Sequence, residues 1–512
     1  MSGDKSHFSP FRAFFWPIRA AELSKFLPLL FLAFFIGFNY NILRNMKDAI
    51  LVTAESSGAE VIPFIKVWGI LPGAFLMTFI YSRLNNRLTR DRVFYTMISL
   101  FLVYFTLFTF VLYPLRDSLH PHNTALYFQS VLPAGFKGLI AMFRYWTFSS
   151  FYIMSELWSS AILSMLFWGF ANQVTALWEA KRFYGLIAVG INCSGIASGQ
   201  LAVFLTSGSV QRYLNLSQDS WYQSIILLTM IVLTSGGLIL LIYRHLTRQV
   251  LPRVSVAAQK KDKVRMSVRK NFSYLFKSKY LLRVAIVVFA YNVIINLVEV
   301  IWKDRVRALF PTPGEFNLYM NQITTITGFV SVTLSLFVSG QLIRRFGWTA
   351  GALFTPVMLL ITSIGFFFFL FGGAKMAGAL AMFGTSPLAL VVLFGSMQNC
   401  LSRASKYTLF DATKEMAFIP LSEESKLKGK AAIDGVGSRL GKSAGSLIHQ
   451  GLLLIFTTVA ASVHFVAFIL FGVIFLWMGA VLSLGKRFKA LTQQEAQIPE
   501  SVEIKETVSA TQ

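Results

Sequence analysis

RHLTRQVLPRVSVAAQKKDKVRMSVRKNFSYLFKSKY, Arg244–Tyr280, carries eleven Lys or Arg against the single acid Asp262. The chain on either side of it is mostly apolar. Six apolar runs precede it, roughly Phe26–Arg44, Ile62–Tyr81, Val93–Leu115, Tyr145–Asn172, Phe183–Leu205 and Ser224–Tyr243. Six more follow, Leu281–Trp302, Met320–Ile343, Trp348–Gly372, Met382–Leu401, Ala431–Thr457 and Val463–Leu484. Each can cover a hydrocarbon core of ~30 Å at ~1.5 Å per helical residue. The expected fold is an all-α polytopic membrane protein with twelve transmembrane helices. Residues 26–243 and 281–484 form two six-helix halves, joined by the basic linker 244–280.

The whole chain is 55% hydrophobic, with a mean hydropathy of +0.60 and a formal net charge of +24. That combination excludes an ordinary soluble basic protein. Cations also cluster in the N-terminus, in Arg83–Arg92, at Lys181–Arg182, at Arg344–Arg345, in Arg403–Lys430 and in the C-terminal tail. In a twelve-span chain these are alternate connections on one side. The positive-inside rule makes that side cytoplasmic, with both termini there. Most of the charge therefore sets topology, and no nucleic-acid partner or obligatory protein partner is expected. Residues 1–25 read as a cytoplasmic N-terminus that lacks the order of a signal peptide. Residues 485–512, polar and acidic from Ala490, read as a disordered cytoplasmic tail. Cys193 and Cys400 lie in different apolar segments and make no disulfide framework or metal site. His120 and His122 read as turn residues of an outer loop. No metal motif, cofactor site or catalytic constellation emerges.

A short basic turn recurs at the same place in each half: YSRLNNRLTRDRVF at Tyr81–Phe94 and SGQLIRRFGW at Ser339–Trp348. Two six-span halves with a basic central loop point to a major-facilitator-like architecture, with substrate bound between the halves near mid-depth.

Charges inside apolar runs each cost about 2.5–3.5 kcal/mol on insertion scales, so each needs a reason. Glu156, in FYIMSELWSSAIL, lies ~16 Å along its helix from Tyr145, near mid-depth. It is either functional or a packing carboxylate paired to another helix. Lys66, in EVIPFIKVWGILPGAF, follows Pro63, which suits the first turn of a helix. It faces a site or snorkels to the interface. Glu299, in NVIINLVEVIWKDR, has Lys303 four residues on, and the bland reading is an interfacial ion pair. Trp302 fits an interfacial belt. Asn296 sits one turn before Glu299 and suits an interhelical hydrogen bond.

KGKAAIDGVGSRLGKSAGSLIHQG, Lys428–Gly451, is the most polar of the runs. Gly437, Gly441 and Gly445 repeat every four residues, a face that lets a neighbouring helix approach closely. Asp434, Ser438, Arg439, Lys442, Ser446 and His449 share a second, polar face. Arg439 and Lys442 then point together toward something wet or anionic, unless Asp434 neutralises one and water the other. GVGSRLGKS is not a phosphate loop, because its glycine spacing is wrong and no strand precedes it.

The stretches NYNILRNMKDAILVTAESSGAEVIPFIK, SELWSSAILSMLFWGFANQVT, EAKRFYGL, INLVEVIWK, SRASKYTLFDATKEMAFIPL and KGKAAIDGVGSRLGKSAGSLI resemble the non-mitochondrial ATP/ADP translocases, the nucleotide transporters of obligate intracellular bacteria and plastids. The resemblance runs from Trp16 to about span 12. It implies exchange of host ATP for bacterial ADP plus inorganic phosphate, driven by gradients, in a bacterial inner membrane. The same family holds proton-coupled importers and carriers of other nucleotides. Its four charged positions fall on Lys66, Glu156, Glu299 and Lys442. The expected mechanism has Lys66 and Lys442, from opposite halves, neutralising phosphates, with Arg439 and Arg44 in support. Glu156 and Glu299 bind ribose or hold the cations between turnovers, and an empty site leaves like charges facing each other. A membrane-embedded transferase is the remote alternative, disfavoured because its acids are dispersed.

Overall fold

The computed structural model describes residues 16–214, 216–251, 278–421, 429, 433 and 438–496. The described residues are helical almost throughout. The long helices are α1 (Ala20–Val52), α2 (Val61–Arg87), α3 (Arg90–Leu112), α4 (Trp146–Val174), α5 (Leu177–Leu205) and α6 (Ser220–Val250). They continue as α7 (Lys279–Leu309), α8 (Pro313–Val338), α9 (Gln341–Gly373), α10 (Pro387–Ala417), α11 (Ser438–Phe456) and α12 (Val459–Ala496). Most of the linker expected at 244–280 lies outside the described residues, as do residues 1–15 and 497–512.

Among the described residues, ten helices are long and apolar enough to cross a membrane. An eleventh is reached if Lys375–Met382 and α10, bent by 87°, are one span. The count of twelve is therefore not reached. Among the described residues the apolar part of α11 is Ser443–Phe456, which covers ~21 Å of a ~30 Å core.

Local chemistry explains the helix starts. Asp219 accepts from the amides of Trp221 and Tyr222 at the start of α6. Thr312 and Ser386 cap α8 and α10, each followed by a proline in the first turn. Such caps satisfy orphan amides, and proline has none to satisfy. Gly347 takes φ of +81°, which breaks the helix between α8 and the main body of α9.

Several helices run past the ends expected from hydropathy. α1 continues beyond Arg44 to Val52, α7 beyond Trp302 to Leu309, and α10 beyond Leu401. Trp302 is not in an interfacial belt. It is fully buried, and its indole N–H donates to Ser396 Oγ at 3.0 Å.

The helices before and after the linker pack as two sets, and glycines bring the sets together. A Cβ on Gly199 of α5 would lie 2.6 Å from the Asn321 carbonyl of α8. One on Gly328 of α8 would lie 2.9 Å from the Ile196 amide of α5. Backbone cannot yield as a side chain does, so α5 and α8 approach this closely only with glycine there. Within the second set, Gly441 and Gly445 of α11 lie against Asn292 and Asn296 of α7, as their spacing suggested. Gly437 lies outside the described residues.

Short helices Arg116–Leu119, His122–Val131 and Lys137–Arg144 cover the face opposite the termini. His120 is packed there, sharing a 2.6 Å hydrogen bond with Thr147 Oγ1 against the rings of Tyr145 and Phe148. Burial, with His122 nearby, pushes its imidazole down to about 4. The unfolded ring titrates near ~6.5, so this contribution to stability is complete above that value and is lost as pH falls toward 4.

Two outcomes follow from this packing. Gly199→Leu should destabilise the protein by about 1–3 kcal/mol, read as a lower thermal inactivation midpoint in detergent; an unchanged midpoint would refute the close approach. His120→Gln should flatten the decline in thermal stability between pH ~6.5 and 4, and an unaltered decline would refute the packed neutral ring.

Candidate functional site

On α1, Arg44, Asn45, Lys47 and Asp48 stand at spacings of one, three and four residues and share one face. Asn45 donates across to Asn321 Oδ1 and Thr324 Oγ1 of α8 at 2.8 and 3.0 Å. Arg44 Nη2 donates to the same Thr324 hydroxyl at 3.2 Å. Lys47 and Asp48 are each only 1% exposed. The face therefore turns its charges inward, and they must find partners in protein.

The partners form a continuous chain. Glu156 Oε1 of α4 is 3.1 Å from Lys47 Nζ, which also lies 3.0 Å from Asp48 Oδ1 and 3.5 Å from the Tyr152 ring centroid. Asp48 Oδ2 is 2.8 Å from Lys303 Nζ of α7, and Lys303 is 2.7 Å from Glu299 Oε1. Glu299 Oε2 is 2.7 Å from Lys66 Nζ of α2, which also donates to Asn296 Oδ1 at 2.6 Å. The order is Glu156–Lys47–Asp48–Lys303–Glu299–Lys66. Three lysines meet three carboxylates, so the chain is formally neutral. Its Asp48–Lys303 and Lys66–Glu299 links join the two helix sets.

Backbone irregularity accompanies two of these side chains. Lys66 lies in a π-helical stretch of α2, Ile65–Ile70, and Glu156 just precedes another in α4, Ser159–Phe167. Such widened turns are frequent at functional sites. On α7 the stripe Asn292, Asn296, Glu299, Lys303 advances by four, three and four residues, the period of one helix face.

More contacts seal the same side. Arg307 of α7 donates to the carbonyls of Ser57 and Ala54 in the loop between α1 and α2. Gln450 of α11 donates to the Pro63 carbonyl of α2 at 2.8 Å. These links lie toward the face opposite the termini. On the terminus face, Lys25–Glu179 at 2.6 Å and Arg182–Glu22 at 2.5 Å tie the first set to itself.

The structure thus brings Lys66, Glu156, Glu299 and Asn296 into one network, with Arg44 one turn away. Lys442 and Arg439 fall in the first turn of α11, beside α7; Asp434 lies outside the described residues. Three expectations are revised. Lys66 does not snorkel, because a carboxylate and an amide hold it. Lys303 is a deeply buried crosslink and not an interfacial partner. The network sets opposite charges, not like charges, face to face. His449, from the polar stripe of α11, bonds the Leu297 carbonyl at 2.9 Å and so serves packing.

Lys47, Asp48, Lys303 and Tyr152 were not anticipated as site residues. A signal was present in the adjacent Lys47–Asp48 pair, charges of opposite sign directly following an apolar run.

The profile of the TLC ATP/ADP transporter family matches residues 1–488. The chain belongs to that family. It is 46% identical over 502 residues to "ADP,ATP carrier protein 2" of Chlamydia pneumoniae, covering 95% of this chain and 93% of that one. It is 43% identical over 482 residues to the "Plastidic ATP/ADP-transporter" of Solanum tuberosum, covering 94% of this chain and 76% of that one. The fold is similar to the crystal structure of a D-xylose–proton symporter, with a TM-score of 0.54 at 13% identity over 91% of this chain and 97% of that one. This member of the TLC family is a multi-pass, major-facilitator-like membrane transporter and not an enzyme.

Removing one partner from a buried ion pair leaves the other charge uncompensated, at about 3–5 kcal/mol. Asp48→Asn and Lys303→Met should each lower the thermal midpoint strongly, while the double variant should recover much of the loss. Additive losses in this double-mutant cycle would show that the two side chains are not coupled.

Proposed function

We propose that the protein exchanges ATP for ADP, with inorganic phosphate as a further co-substrate, by alternating access between the helix sets 26–243 and 281–484. The substrates follow from the family and from the names its relatives carry. One observation carries the mechanism: buried and part-buried ion pairs cross from one set to the other toward the face opposite the termini. On this reading the network is a gate, closed on the face opposite the termini. On the same reading the termini lie in the cytoplasm of a bacterial cell and the transporter in its inner membrane, a reading the basic loops support through the positive-inside rule.

The gate supplies a physical reason for exchange. Opening it strands three lysines and three carboxylates that only each other now neutralise. ATP carries about four negative charges and replaces the carboxylates as partner to the lysines. Substrate bound between the sets thereby lowers the barrier to rocking, whereas an empty site must part its ion pairs uncompensated. Lys66, Glu299 and Glu156 act here as switch residues, and Lys442 as a phosphate contact from α11.

Reconstitution into liposomes tests this. Labelled ATP should enter vesicles loaded with ADP and not empty ones. Uptake into empty vesicles under an acid-outside gradient would instead establish a proton symporter. Lys66→Ala should weaken transport of ATP more than that of an uncharged nucleoside; equal losses would refute a role toward phosphate.

A further inference from the structure

The network leaves none of its own charges free, yet two guanidiniums lie just to its terminus side. Among the described residues neither has a carboxylate partner. Arg44 of α1 is four residues from Asp48, ~6 Å along the helix. It is held by Thr324 and lies 5.8 Å from the Tyr40 ring centroid, and its buried Nε has no hydrogen-bond partner. Arg403 of α10 belongs to the other set and is half-buried. The neighbouring Ser402 carbonyl accepts from Tyr291 Oη of α7 at 3.4 Å, which fixes the depth of Arg403. That depth is eight residues from Glu299 along α7, ~12 Å toward the termini. Gly441 of α11 meets α7 at Asn292, so the backbone of Lys442 stands at the same level.

Arg403 opens a basic segment that hydropathy assigns to a cytoplasmic loop. In the structure it is instead part of α10, which packs against both α7 and α8, the helix that holds Arg44 through Thr324. Two guanidiniums from opposite helix sets thus lie to the terminus side of the network, without a carboxylate partner among the described residues. Guanidinium is also the side chain whose forked donors match phosphate oxygens in pairs. A polyanion approaching from the terminus face reaches this pair before it reaches Lys66.

Resting on the exchange reading above, we propose that Arg44 and Arg403 form the polyphosphate site of the transporter in the conformation described here. The lysines of the network are then engaged second, when the bound polyanion displaces Glu299 from Lys66. Arg403 is a substrate-binding residue that recognises the number of phosphates and not the base.

Equilibrium binding of ATP, ADP and AMP to the purified full-length transporter tests this. R403Q should weaken ATP by about tenfold or more, the loss expected of one charge-assisted contact. It should weaken AMP much less, so the ATP-to-AMP preference shrinks, and R403K should fall between R403Q and wild type. Unchanged ATP affinity in a folded R403Q, or an equal loss for all three nucleotides, would overturn the assignment. If R403Q is not recovered folded, R44Q is measured in the same way and carries the same two outcomes. Binding is read without transport. A wild type that prefers ATP through Arg403 but exchanges nothing would sink the exchange reading and leave the pair standing.

Discussion

Everything in the centre of this protein depends on the ion pair between Lys66 and Glu299 and its continuation to Lys303, Asp48, Lys47 and Glu156. Each of these ions loses several kcal/mol of hydration on burial. Only complete pairing repays that loss, and pairing is complete only when both helix sets contribute. The network is therefore a poor source of net stability and a good register device. It specifies how the two sets meet and makes any other meeting expensive unless another charged partner arrives.

The surroundings follow from that constraint. Asn45 and the glycine contacts between α5 and α8 let the sets approach closely enough for the pairs to form. Arg307 and Gln450 close the backbone around the outer ends of α1 and α2. The asparagine stripe on α7 gives Lys66 its second acceptor. On the reading proposed above, exchange is an electrostatic consequence of the fold: a polyanion substitutes for the carboxylates and opens the gate.

The sequence was legible where a charge interrupted an apolar run. Lys66, Glu156 and Glu299 stood out for that reason, and the structure joins them. The charges at the ends of runs were misread. Hydropathy closes a span near its first charges, so Lys47 and Asp48 fall outside the first run, Lys303 reads as an interfacial partner and Arg403 as a topology charge. The helices in fact continue, because charges from different helices neutralise one another inside the bundle. No one-dimensional window contains that pairing, which joins residues on different helices more than one hundred positions apart. Trp302 was misplaced by the same boundary error. The close approach at Gly441 and Gly445 of α11 was legible, since it needs only a local pattern of small residues.

The central claim is that the network is a gate closed on the face opposite the termini and opened by substrate. Spin-label distance measurements test it most directly, with labels at Glu55→Cys in the α1–α2 loop and Glu315→Cys at the start of α8, in a chain whose Cys193 and Cys400 are replaced by serine. The account predicts one short distance without nucleotide and a second, longer population when ADP or ATP is added. It also predicts that Glu299→Gln populates the longer distance without nucleotide. A single distance unaltered by nucleotide and by Glu299→Gln would contradict it.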